Sequence, residues 1–524
     1  MVKPRKDRQR KRKFYGNRFT PSKTNDEKRS RSDDNGLQNG KLPLSKLNSQ
    51  ELEDNFHGTE KLNGINSSLT LVCRSCKATV NLQNDENVNL RFQAAMYGIG
   101  CHEKKGQRFL SAMDMPQPVS SVRASIFKER ILKATEKVAK ESMERAATEL
   151  KEAEGDNVSV SCDGSWHRRG FVSKNGVATC LSVSKKVPAK VIDTETLSNY
   201  CDSCAKMKAK NLSAEKKNIW SEKHKELCQK NHDGSAGSME PVGMGRIFKR
   251  SEGRHGLKYA TYLGDGDSKS YKFVSEADPP IYDIPIEKLE CCGHVQKRMG
   301  KRLLDKVNEC KGKVYTVDKK KIKGIGGAGK LTKAAIKRIQ GHYGGAIRKN
   351  VNDLEKMKKA IWAIWYHRKG KHTECGSWCD GSNKNILPEF VLEEIRNIFE
   401  DLSSDNLLKK CLHGGTQNAN ESFHNLIWDR CPKTTFVGKD RLQIAVFDGT
   451  IVFNDGEMQR CDVFKELGLK VGYHQKSGFR KLDSSRVTAA EKQIRKGNKQ
   501  KRAQRSIMAV QEENGDDSYL AGGH

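Results

Sequence analysis

Residues 158–166 read VSVSCDGSW, and this stretch decides the fold prediction. Valine and serine alternate over residues 158–161, and a period of two predicts a β-strand. Asp163 and Gly164 follow as a turn-forming pair, so we predict that the strand ends there. A carboxylate at the end of a strand can be directed at a metal ion while the strand holds its backbone in place. An isolated Asp-Gly pair is more often a plain turn, so the functional interpretation depends on the rest of the chain.

The overall charge of the chain indicates a polyanionic partner. The 524 residues include 97 Lys and Arg against 65 Asp and Glu, a formal net charge of +32 at pH 7. A surplus of this size favours nucleic acid, with an anionic membrane as the second choice. No apolar run approaches the roughly 18 residues that a membrane span needs, and no signal peptide is visible, so we expect no membrane association. The basic run at residues 3–13 is typical of nuclear import or non-specific DNA contact, and we expect a nuclear protein.

Changes in composition along the chain predict four segments. Apolar residues make up 35% and charged residues 31% of the chain, which is lean for a fully packed globule. We therefore expect a disordered basic tail at residues 1–65 and a basic, poorly ordered tail at 461–524. Between them we predict a small cysteine-containing segment at 66–120 and a main domain at 121–460, with a mostly helical insertion at about 295–411.

Regular patterns surround the strand at the start of the main domain. Apolar residues at helical intervals predict a long amphipathic helix over 121–152, which leads into the strand. Two further strands are predicted at 177–183 and 186–192, with turn residues before them. These patterns predict an antiparallel meander of three strands, in which the strand that carries Asp163 comes first.

Cysteine spacing predicts metal sites rather than disulfides. The chain has 16 cysteines and no visible leader, so we expect a reducing compartment, in which clustered cysteines are more often metal ligands. The best candidate is a zinc site made of two ligand pairs with short internal spacing, Cys201, Cys204, His224 and Cys228. His232 is an alternative ligand, and reduced cysteines packed as small hydrophobic residues are the competing interpretation.

Three further groups of cysteine and histidine have spacings found in zinc sites. They are Cys73 and Cys76 with Cys101 and His102 as their complement, Cys291 with His294, and His372 with Cys375 and Cys379. In the first group the second pair is adjacent rather than spaced, which weakens the prediction. The second group opens a helix rich in Lys and Arg, and a basic helix face is suited to follow a DNA backbone.

A second acidic position follows another predicted strand. Residues 257–263 have a strand pattern and run directly into Asp265 and Asp267, which lie among glycines. Glycine lets the backbone approach a phosphate or a metal ion closely. The Gly-rich stretch at 324–329 lacks the Gly-Lys-Ser/Thr ending of a phosphate loop, so we exclude nucleotide hydrolysis of that kind.

A third acidic position lies on a predicted helix near the end of the main domain. Residues 416–428 read TQNANESFHNLIW, and Glu421, His424 and Asn425 fall at i, i+3 and i+4 on one face. Carboxylates are ligands that suit Mg²⁺ or Mn²⁺. Two such ions can activate an attacking water or 3′-hydroxyl and stabilise the leaving oxygen of a phosphodiester. A basic protein with three such carboxylates is a candidate for phosphoryl transfer on DNA.

Seven longer segments follow one another in order along the chain. They are CDGSW at 162–166, the segment 201–240 ending in NHDGSAGSME, GDGDSKSY at 264–271, CCGHVQKRMGKRL at 291–303, LTKAAIKRIQGHYGGAIR at 331–348, HTECGSWC at 372–379 and TQNANESFHNLIW at 416–428. Together they resemble the Mutator-like transposase domain found in many animal genomes. The resemblance covers roughly residues 68–460, and its motifs are long, so it is more specific than any single spacing.

The resemblance implies a DDE transposase with a ribonuclease-H-like core. This is an α/β fold in which a mixed sheet flanked by helices is interrupted by a mostly helical insertion, here with small zinc-binding elements added. In this superfamily the first catalytic Asp ends the first core strand, which matches Asp163. The second ends the fourth strand and precedes a Cys-x2-His element, which matches Asp265 and the pair Cys291 and His294. The catalytic Glu lies on a helix after a large helical insertion, which matches Glu421.

The leading hypothesis is therefore a metal-dependent transposase that cuts DNA at transposon ends and joins the 3′-hydroxyl to target DNA. Asp163, Asp265 and Glu421 are expected to hold Mg²⁺ or Mn²⁺, and Zn²⁺ is expected to be structural. Asp265 is preferred to Asp267 because it is nearer the strand end. The expected partners are the transposon ends, the target DNA and further copies of the chain in a homo-oligomer.

Two side predictions and two alternatives accompany this hypothesis. His424 and Asn425 are weaker candidates, expected to orient the scissile phosphate. The first alternative is a domesticated, non-catalytic, zinc-containing DNA-binding protein. The second is an RNA-binding ribonuclease.

Overall fold

The computed structural model describes residues 56–83, 87–168, 172–210, 213–266, 269–376, 378–379, 381 and 386–495. The described residues form two compact units, one that contains residues 56–59 with Leu71–Val80 and one that contains Glu60–Thr70 with the described residues from Asn81 onward. The strands are β1 (Phe56–Asn63), β2 (Asn66–Cys73), β3 (Thr79–Gln83), β4 (Asn157–Trp166), β5 (Asn175–Val183), β6 (Val191–Ser198), β7 (Lys258–Gly264), β8 (Glu287–Glu290), β9 (Val314–Val317) and β10 (Lys320–Lys323).

The helices lie in the larger unit. They are α1 (Val88–Gly98), α2 (Glu103–Ala112), α3 (Ser121–Glu154), α4 (Asp202–Lys208), α5 (Ala214–His224), α6 (Ala236–His255), α7 (Lys269–Ser275), α8 (Cys292–Glu309), α9 (Lys333–Lys349), α10 (Leu354–Arg368), α11 (Glu389–Leu402), α12 (Asp405–Lys409), α13 (Asn418–Arg430), α14 (Lys439–Asp455), α15 (Arg460–Glu466) and α16 (Tyr473–Ile494). No helix in the described ranges is long and apolar enough to cross a membrane.

A five-stranded mixed sheet with the order β6-β5-β4-β7-β8 lies at the centre of the larger unit. β4 pairs antiparallel with β5, and β5 pairs antiparallel with β6, so the predicted meander is present. On its other side β4 pairs parallel with β7, which pairs parallel with β8. β6 begins at Val191 rather than at 186, because Pro188 has no N–H to donate to a ladder.

The strand that carries Asp163 does not end there, and this part of the prediction is wrong. β4 continues to Trp166, and its pairing with β5 runs from Ser159 opposite Val183 to Trp166 opposite Gly176. These antiparallel hydrogen bonds outweigh the turn tendency of the Asp-Gly pair, since a long ladder fixes the backbone on that side. The parallel pairing with β7 does stop earlier, at Ser161.

Helices cover both faces of the central sheet, because its strands alternate between two apolar cores. On one face, β4 and β5 pack against α6 and α3 through Val160, Cys162, Ala178, Cys180, Met244, Phe248 and Leu150. On the other face, β5 and β6 pack against α13 and α14 through Val177, Leu181, Val191, Phe423, Ile427, Leu442 and Val446. Burying such side chains contributes roughly 1.5–3 kcal/mol each, so these cores fix where α6 and α13 lie on the sheet.

The segment predicted as a mostly helical insertion has a core of its own. Helices α8 to α11 pack through Val295, Met299, Leu303, Ile339, Tyr343, Ile361, Ile395 and Phe399. The segment also contains the hairpin of β9 and β10, which the prediction missed. Its two turn residues, Asp318 and Lys319, both have positive φ (47° and 63°), as a two-residue hairpin turn requires.

Both predicted tails contain regular structure. β1 begins at Phe56, inside the segment expected to be disordered, whereas residues 1–55 lie outside the described residues. Helices α15 and α16 occupy most of 460–494, where a poorly ordered tail was predicted. The prediction rested on the basic composition and overlooked an apolar face of α15. Val463 and Phe464 of this helix are buried with Ile131 and Val138 of α3. Residues 496–524 lie outside the described residues.

Candidate functional site

The candidate residues Asp163 and Asp265 lie at one edge of the central sheet. Ser161 of β4 pairs with Leu263 of the parallel strand β7. Each aspartate lies two residues beyond this pair, so both lie at the same level of the sheet. This level is the edge at which the neighbouring parallel strands have their carboxyl ends. Asp163 is still paired with β5, whereas Asp265 follows the last residue of β7. The alternative residue Asp267 lies outside the described residues.

Buried polar contacts hold helix α13 against β4. Asn420 accepts a hydrogen bond from Ser161 Oγ at 2.6 Å and donates one to the Ser161 carbonyl at 3.1 Å. Gln417 Nε2 donates to the carbonyl oxygen of Cys162 at 2.6 Å. Both amide side chains are at most 2% exposed, and leaving them unpaired would cost about 1–3 kcal/mol each. The helix therefore has one position on the strand, and Glu421 follows Asn420 directly.

His294 of α8 lies between the second and third acidic candidates. Its Nδ1 atom is 3.6 Å from Asp265 Oδ1, and its Nε2 atom is 4.0 Å from Glu421 Oε1. Two more cations of α8 approach the same carboxylates. Lys297 Nζ is 3.4 Å from Glu421 Oε1, and Arg298 Nη2 is 3.3 Å from Asp265 Oδ1. The fold thus brings together groups from the residue after β7, from α8 and from α13.

The acidic groups differ in how easily they ionise. Burial and the like charge of Glu240 raise the pKa of Asp163 to about 7, although the Gly164 N–H donates to its Oδ1 atom at 2.9 Å. The His294 ring holds the pKa of Asp265 below its usual range, and Asp265 in turn raises the pKa of His294. A nearby divalent cation would favour the ionised form of a carboxyl such as Asp163.

Glu240 is a fourth carboxylate at this edge, and the sequence interpretation did not single it out. It lies near the start of α6 and accepts a hydrogen bond from Ser270 Oγ at 2.9 Å. A Cβ atom added to Gly164 would lie 2.6 Å from Glu240 Oε2, so the carboxylate lies directly against the residue after Asp163. Burial and the nearby Asp265 raise the pKa of Glu240. One signal was available, since the motif segment 201–240 ends in this glutamate.

The three polar residues predicted on one face of α13 are divided between solvent and the interior. Glu421 and Asn425 are exposed, whereas His424 is only 7% exposed. His424 Nε2 lies 3.1 Å from Thr179 Oγ1, and its Nδ1 atom lies 3.6 Å from Asp163 Oδ2. Burial lowers the pKa of His424 to about 4, so the ring is neutral near pH 7. His424 therefore contacts Asp163 from inside the protein.

The four residues predicted as the first zinc site come together. The ligand atoms of Cys201, Cys204, His224 and Cys228 all lie within 4.8 Å of one another. Cys201 Sγ is 3.3 Å from His224 Nε2, and Cys204 Sγ is 3.6 Å from Cys228 Sγ. Tetrahedral zinc with its usual bond lengths places such atoms roughly 3.3–3.8 Å apart. The alternative ligand His232 is engaged elsewhere, with its Nε2 atom 2.9 Å from Ser238 Oγ.

A second group of four ligands contains the predicted residues His372, Cys375 and Cys379 and one that was missed, His367. His367 Nδ1 lies 3.1 Å from His372 Nδ1 and 3.5 Å from both cysteine sulfurs. His367 belongs to the last turn of α10, which ends at Arg368, and the other three residues of the group follow in the segment after this helix. The position of a histidine at a helix end, five residues before His372, was the available signal.

The remaining metal candidates are placed differently. Cys291 Sγ is buried and accepts a hydrogen bond from the Gln417 backbone N–H at 3.3 Å, whereas its predicted partner His294 faces the carboxylates. Among the described residues, neither group of four metal-ligating side chains includes Cys291, His294, Cys73, Cys76, Cys101 or His102.

The acidic edge fits a divalent metal ion by the chemistry of its donors. Oxygen ligands from carboxylates are those that Mg²⁺ and Mn²⁺ prefer. Glu240 lies against Gly164, the residue after Asp163, and within the described ranges neither carboxylate forms an ion pair with a lysine or an arginine. Partly buried carboxylates without a compensating cation are costly, and a divalent ion would supply that charge.

Comparison with known proteins identifies the family. No curated protein matches the chain. The family model described as Mutator-like transposase matches residues 45–379, which is more than half of the 524 residues. The matched residues include Asp163, Asp265, His294 and both groups of Cys and His ligands, whereas Glu421 lies beyond them, inside the longer range over which the motifs resemble the family. The chain therefore belongs to the Mutator-like transposase family.

Proposed function

We propose that this protein is a DDE-type DNA transposase with a ribonuclease-H-like catalytic core. In this proposal it cleaves phosphodiester bonds at transposon ends and joins the 3′-hydroxyl to target DNA. The observation that carries the proposal is the convergence of Asp163, Asp265 and Glu421 at one sheet edge, with His294 between the last two. The sheet order, three antiparallel strands followed by two parallel ones, supports the same core.

Asp163, Asp265 and Glu421 are the residues that would hold Mg²⁺ or Mn²⁺. When bound, such ions activate an attacking water or 3′-hydroxyl and stabilise the leaving oxygen. The protein contributes the positions of the carboxylates: the β4–β7 register sets the two aspartates, and Asn420 sets the helix that carries the glutamate. His424, neutral and buried, supports Asp163 from the interior.

The basic face of α8 is suited to hold the DNA backbone beside these carboxylates. Lys297 and Lys301 are exposed and lie one helical turn apart on the same side. Lys297 Nζ is 3.4 Å from Glu421 Oε1, so a phosphate bound by this lysine would lie next to the acidic edge. Charge-assisted contacts of this kind position DNA without reading its sequence. The net charge of +32 supports the same partner.

Three further elements belong to the proposal. Zn²⁺ in the two groups of Cys and His ligands has a structural role, because each group has four protein ligands and structural zinc sites are closed in this way. The protein acts as a homo-oligomer on DNA, since two transposon ends must be handled together. It acts in the nucleus, where its DNA substrates are.

The test is strand cleavage of a supercoiled plasmid that carries the genomic DNA from both sides of this gene, with Mg²⁺ or Mn²⁺ added. We expect wild-type protein to nick or cut the plasmid, and Glu421→Gln to bind the same DNA without cutting it. Glu466→Gln, an exposed glutamate at the end of α15, serves as the control and should cut normally.

A negative result would favour a different function. If wild-type protein binds DNA tightly and in a salt-sensitive way but never cuts it, the domesticated DNA-binding alternative is correct. Metal-dependent cutting of RNA but not of DNA would instead support the ribonuclease alternative.

A further inference from the structure

The position of Glu240 relative to the acidic edge has consequences beyond the three expected carboxylates. A Cβ atom on Gly164 would lie 2.6 Å from Glu240 Oε2 and 2.7 Å from the carboxyl carbon. Real Cβ atoms do not approach other atoms so closely, so a larger residue at position 164 would displace the Glu240 carboxylate from this place. The absence of a side chain after Asp163 therefore leaves the space that the Glu240 carboxylate occupies.

The placement of Glu240 is fixed by the sheet. Trp166 Nε1, at the end of β4, donates a hydrogen bond at 2.8 Å to the carbonyl oxygen of Ala236, the first residue of α6. Helix α6 also approaches β5 closely at Gly243, because a Cβ atom added there would lie 2.7 Å from Ala178 Cβ. Helix α6 is thus held at both sides of Glu240.

Glu240 also reaches the element that follows Asp265. Its Oε1 atom accepts the hydrogen bond of Ser270 Oγ at 2.9 Å, and Ser270 belongs to α7, the helix that begins five residues after the end of β7. One oxygen of Glu240 therefore faces the backbone beside Asp163, and the other is tied to the segment after Asp265. Glu240 therefore contacts both the residue after Asp163 and the helix that follows Asp265.

The surroundings of Glu240 lack a positive charge. Asp265 and Glu421 have His294, Lys297 and Arg298 within 4.0 Å, but within the described residues no lysine, arginine or histidine lies at ion-pair distance from Glu240. A partly buried carboxylate without a cation is unfavourable, and hydrogen bonding to one serine hydroxyl compensates only a fraction of that cost.

We propose that Glu240 is a fourth acidic residue of the catalytic centre and takes part in holding its divalent cations. The inference rests on the proposed function, because it assigns a further residue to the same centre. Glu240 then approaches the edge from α6, on the face of β4 toward which Gly164 points, whereas Asp265 and Glu421 lie beside the cations of α8. The cation supplies the charge that the protein leaves out beside Glu240.

The proposal predicts an unusual combination of effects for Glu240→Gln. Glutamine keeps the shape and the Ser270 contact but removes a like charge, so the melting temperature without metal should be unchanged or higher. The rise in melting temperature on adding Mn²⁺, which reflects binding to the folded state, should shrink. Mn²⁺ binding measured by electron paramagnetic resonance should weaken on the order of tenfold or more, as changes around metal sites do.

Two variants separate metal binding from a purely structural role. Glu252→Gln changes an exposed glutamate on the same helix and should bind Mn²⁺ like wild type. Ser270→Ala removes the hydrogen bond but leaves the carboxylate, so it should also retain Mn²⁺ binding. If Glu240 were only structural, Glu240→Gln would bind Mn²⁺ as tightly as wild type and would show the same rise in melting temperature on adding Mn²⁺, which would overturn the inference.

The two proposals fail in different ways. Should wild-type protein bind Mn²⁺ and cut plasmid DNA while Glu240→Gln needs no more Mn²⁺ for half-maximal cutting, the proposed function stands and the assignment of Glu240 is wrong. Should wild-type protein neither bind Mn²⁺ nor cut DNA, the proposed function itself is wrong. The supporting result is a higher Mn²⁺ requirement in Glu240→Gln with smaller loss of rate at saturating Mn²⁺.

Discussion

Ser161 of β4 lies opposite Leu263 of β7, and the two candidate aspartates each follow this pair by two residues. Because side chains alternate between the faces of a sheet, this register places Asp163 and Asp265 at one level of the edge. A slip of one residue would turn one of the two strands over and move its side chains to the other face. The proposed chemistry thus depends on how two strands pair, in addition to which residues they contain.

Neutralising either aspartate should abolish cleavage while preserving the fold. We expect Asp163→Asn and Asp265→Asn to cut plasmid DNA at least about a hundredfold more slowly. Metal ions lower the activation free energy of such reactions by several kcal/mol, and each tenfold change in rate corresponds to about 1.4 kcal/mol. The measurement is the rate of nicking in Mn²⁺. Asp156→Asn, at an exposed position just before β4, should cut at the wild-type rate. Normal cutting by Asp265→Asn would contradict the assignment of this residue.

The buried amide of Asn420 should matter for both stability and cleavage. Asn420→Leu leaves the Ser161 hydroxyl and carbonyl without their partner, so we expect a loss of about 1–3 kcal/mol in the free energy of unfolding. Cleavage should fall further than DNA affinity, because Glu421 loses its fixed position. Chemical denaturation and nicking assays measure the two effects. Asn418→Ala, at an exposed position on the same helix, is the control; equal losses in both variants would argue against this role of Asn420.

The zinc content of the purified protein should show whether His367 binds metal. We expect the purified protein to carry about two zinc ions per chain, one for each group of four ligands. His367→Ala should lower the content to about one, as measured by atomic emission. His342→Ala changes a histidine that lies beside the second group, with its ring 4.4 Å from that of Trp378, and should keep both ions. Full zinc content in His367→Ala would show that His367 is not a ligand.

A buried ion-pair network near the end of the chain should make stability depend on acid pH. Asp448, on α14, accepts hydrogen bonds from Arg430 and from Arg460 at 2.8 Å, and all three are at most 8% exposed. Burial alone would raise the pKa of Asp448, but the two arginines outweigh it and lower the pKa. Among the described residues, Asp448→Asn leaves Glu457, 3.5 Å from Arg430 and 3.2 Å from Arg460, as the one carboxylate in ion-pair contact with these two buried arginines. We therefore expect a loss of about 3 kcal/mol in the free energy of unfolding at pH 7, at the lower end of the range for a broken buried ion pair.

The sign of this pH effect follows from the lowered pKa. In the unfolded chain the Asp448 carboxyl has a pKa of about 3.9, and in the folded protein its pKa is lower. Its stabilising contribution is therefore complete above about pH 4. That contribution is lost as the pH falls through the folded-state pKa. Denaturation curves at pH 7 and below pH 4 should therefore show the gap between wild type and Asp448→Asn narrowing in acid. Asp429→Asn, at an exposed position, should show no gap, and a pH-independent gap for Asp448→Asn would contradict the argument.

Short-range patterns predicted much of the fold. The alternation at 158–161 predicted the central strand, and the patterns after it predicted the antiparallel meander. Both could be predicted because a period of two is a property of neighbouring residues. The same locality explains the first group of metal ligands, whose four residues all lie within 201–228. Turn chemistry was less reliable: Asp-Gly did not end β4, since the ladder with β5 continued past it.

The sequence by itself determined the family, through ordered motifs along a strongly basic chain, and it pointed to the carboxylates and the clustered Cys and His residues of the proposed sites. Only the tertiary structure decided which of these groups meet. His294 between Asp265 and Glu421, and Glu240 against Gly164, are contacts between elements that are separate in the chain. Periodicity describes a residue and its near neighbours, whereas strand register and helix docking, driven by burial of two apolar cores, set distances between remote residues.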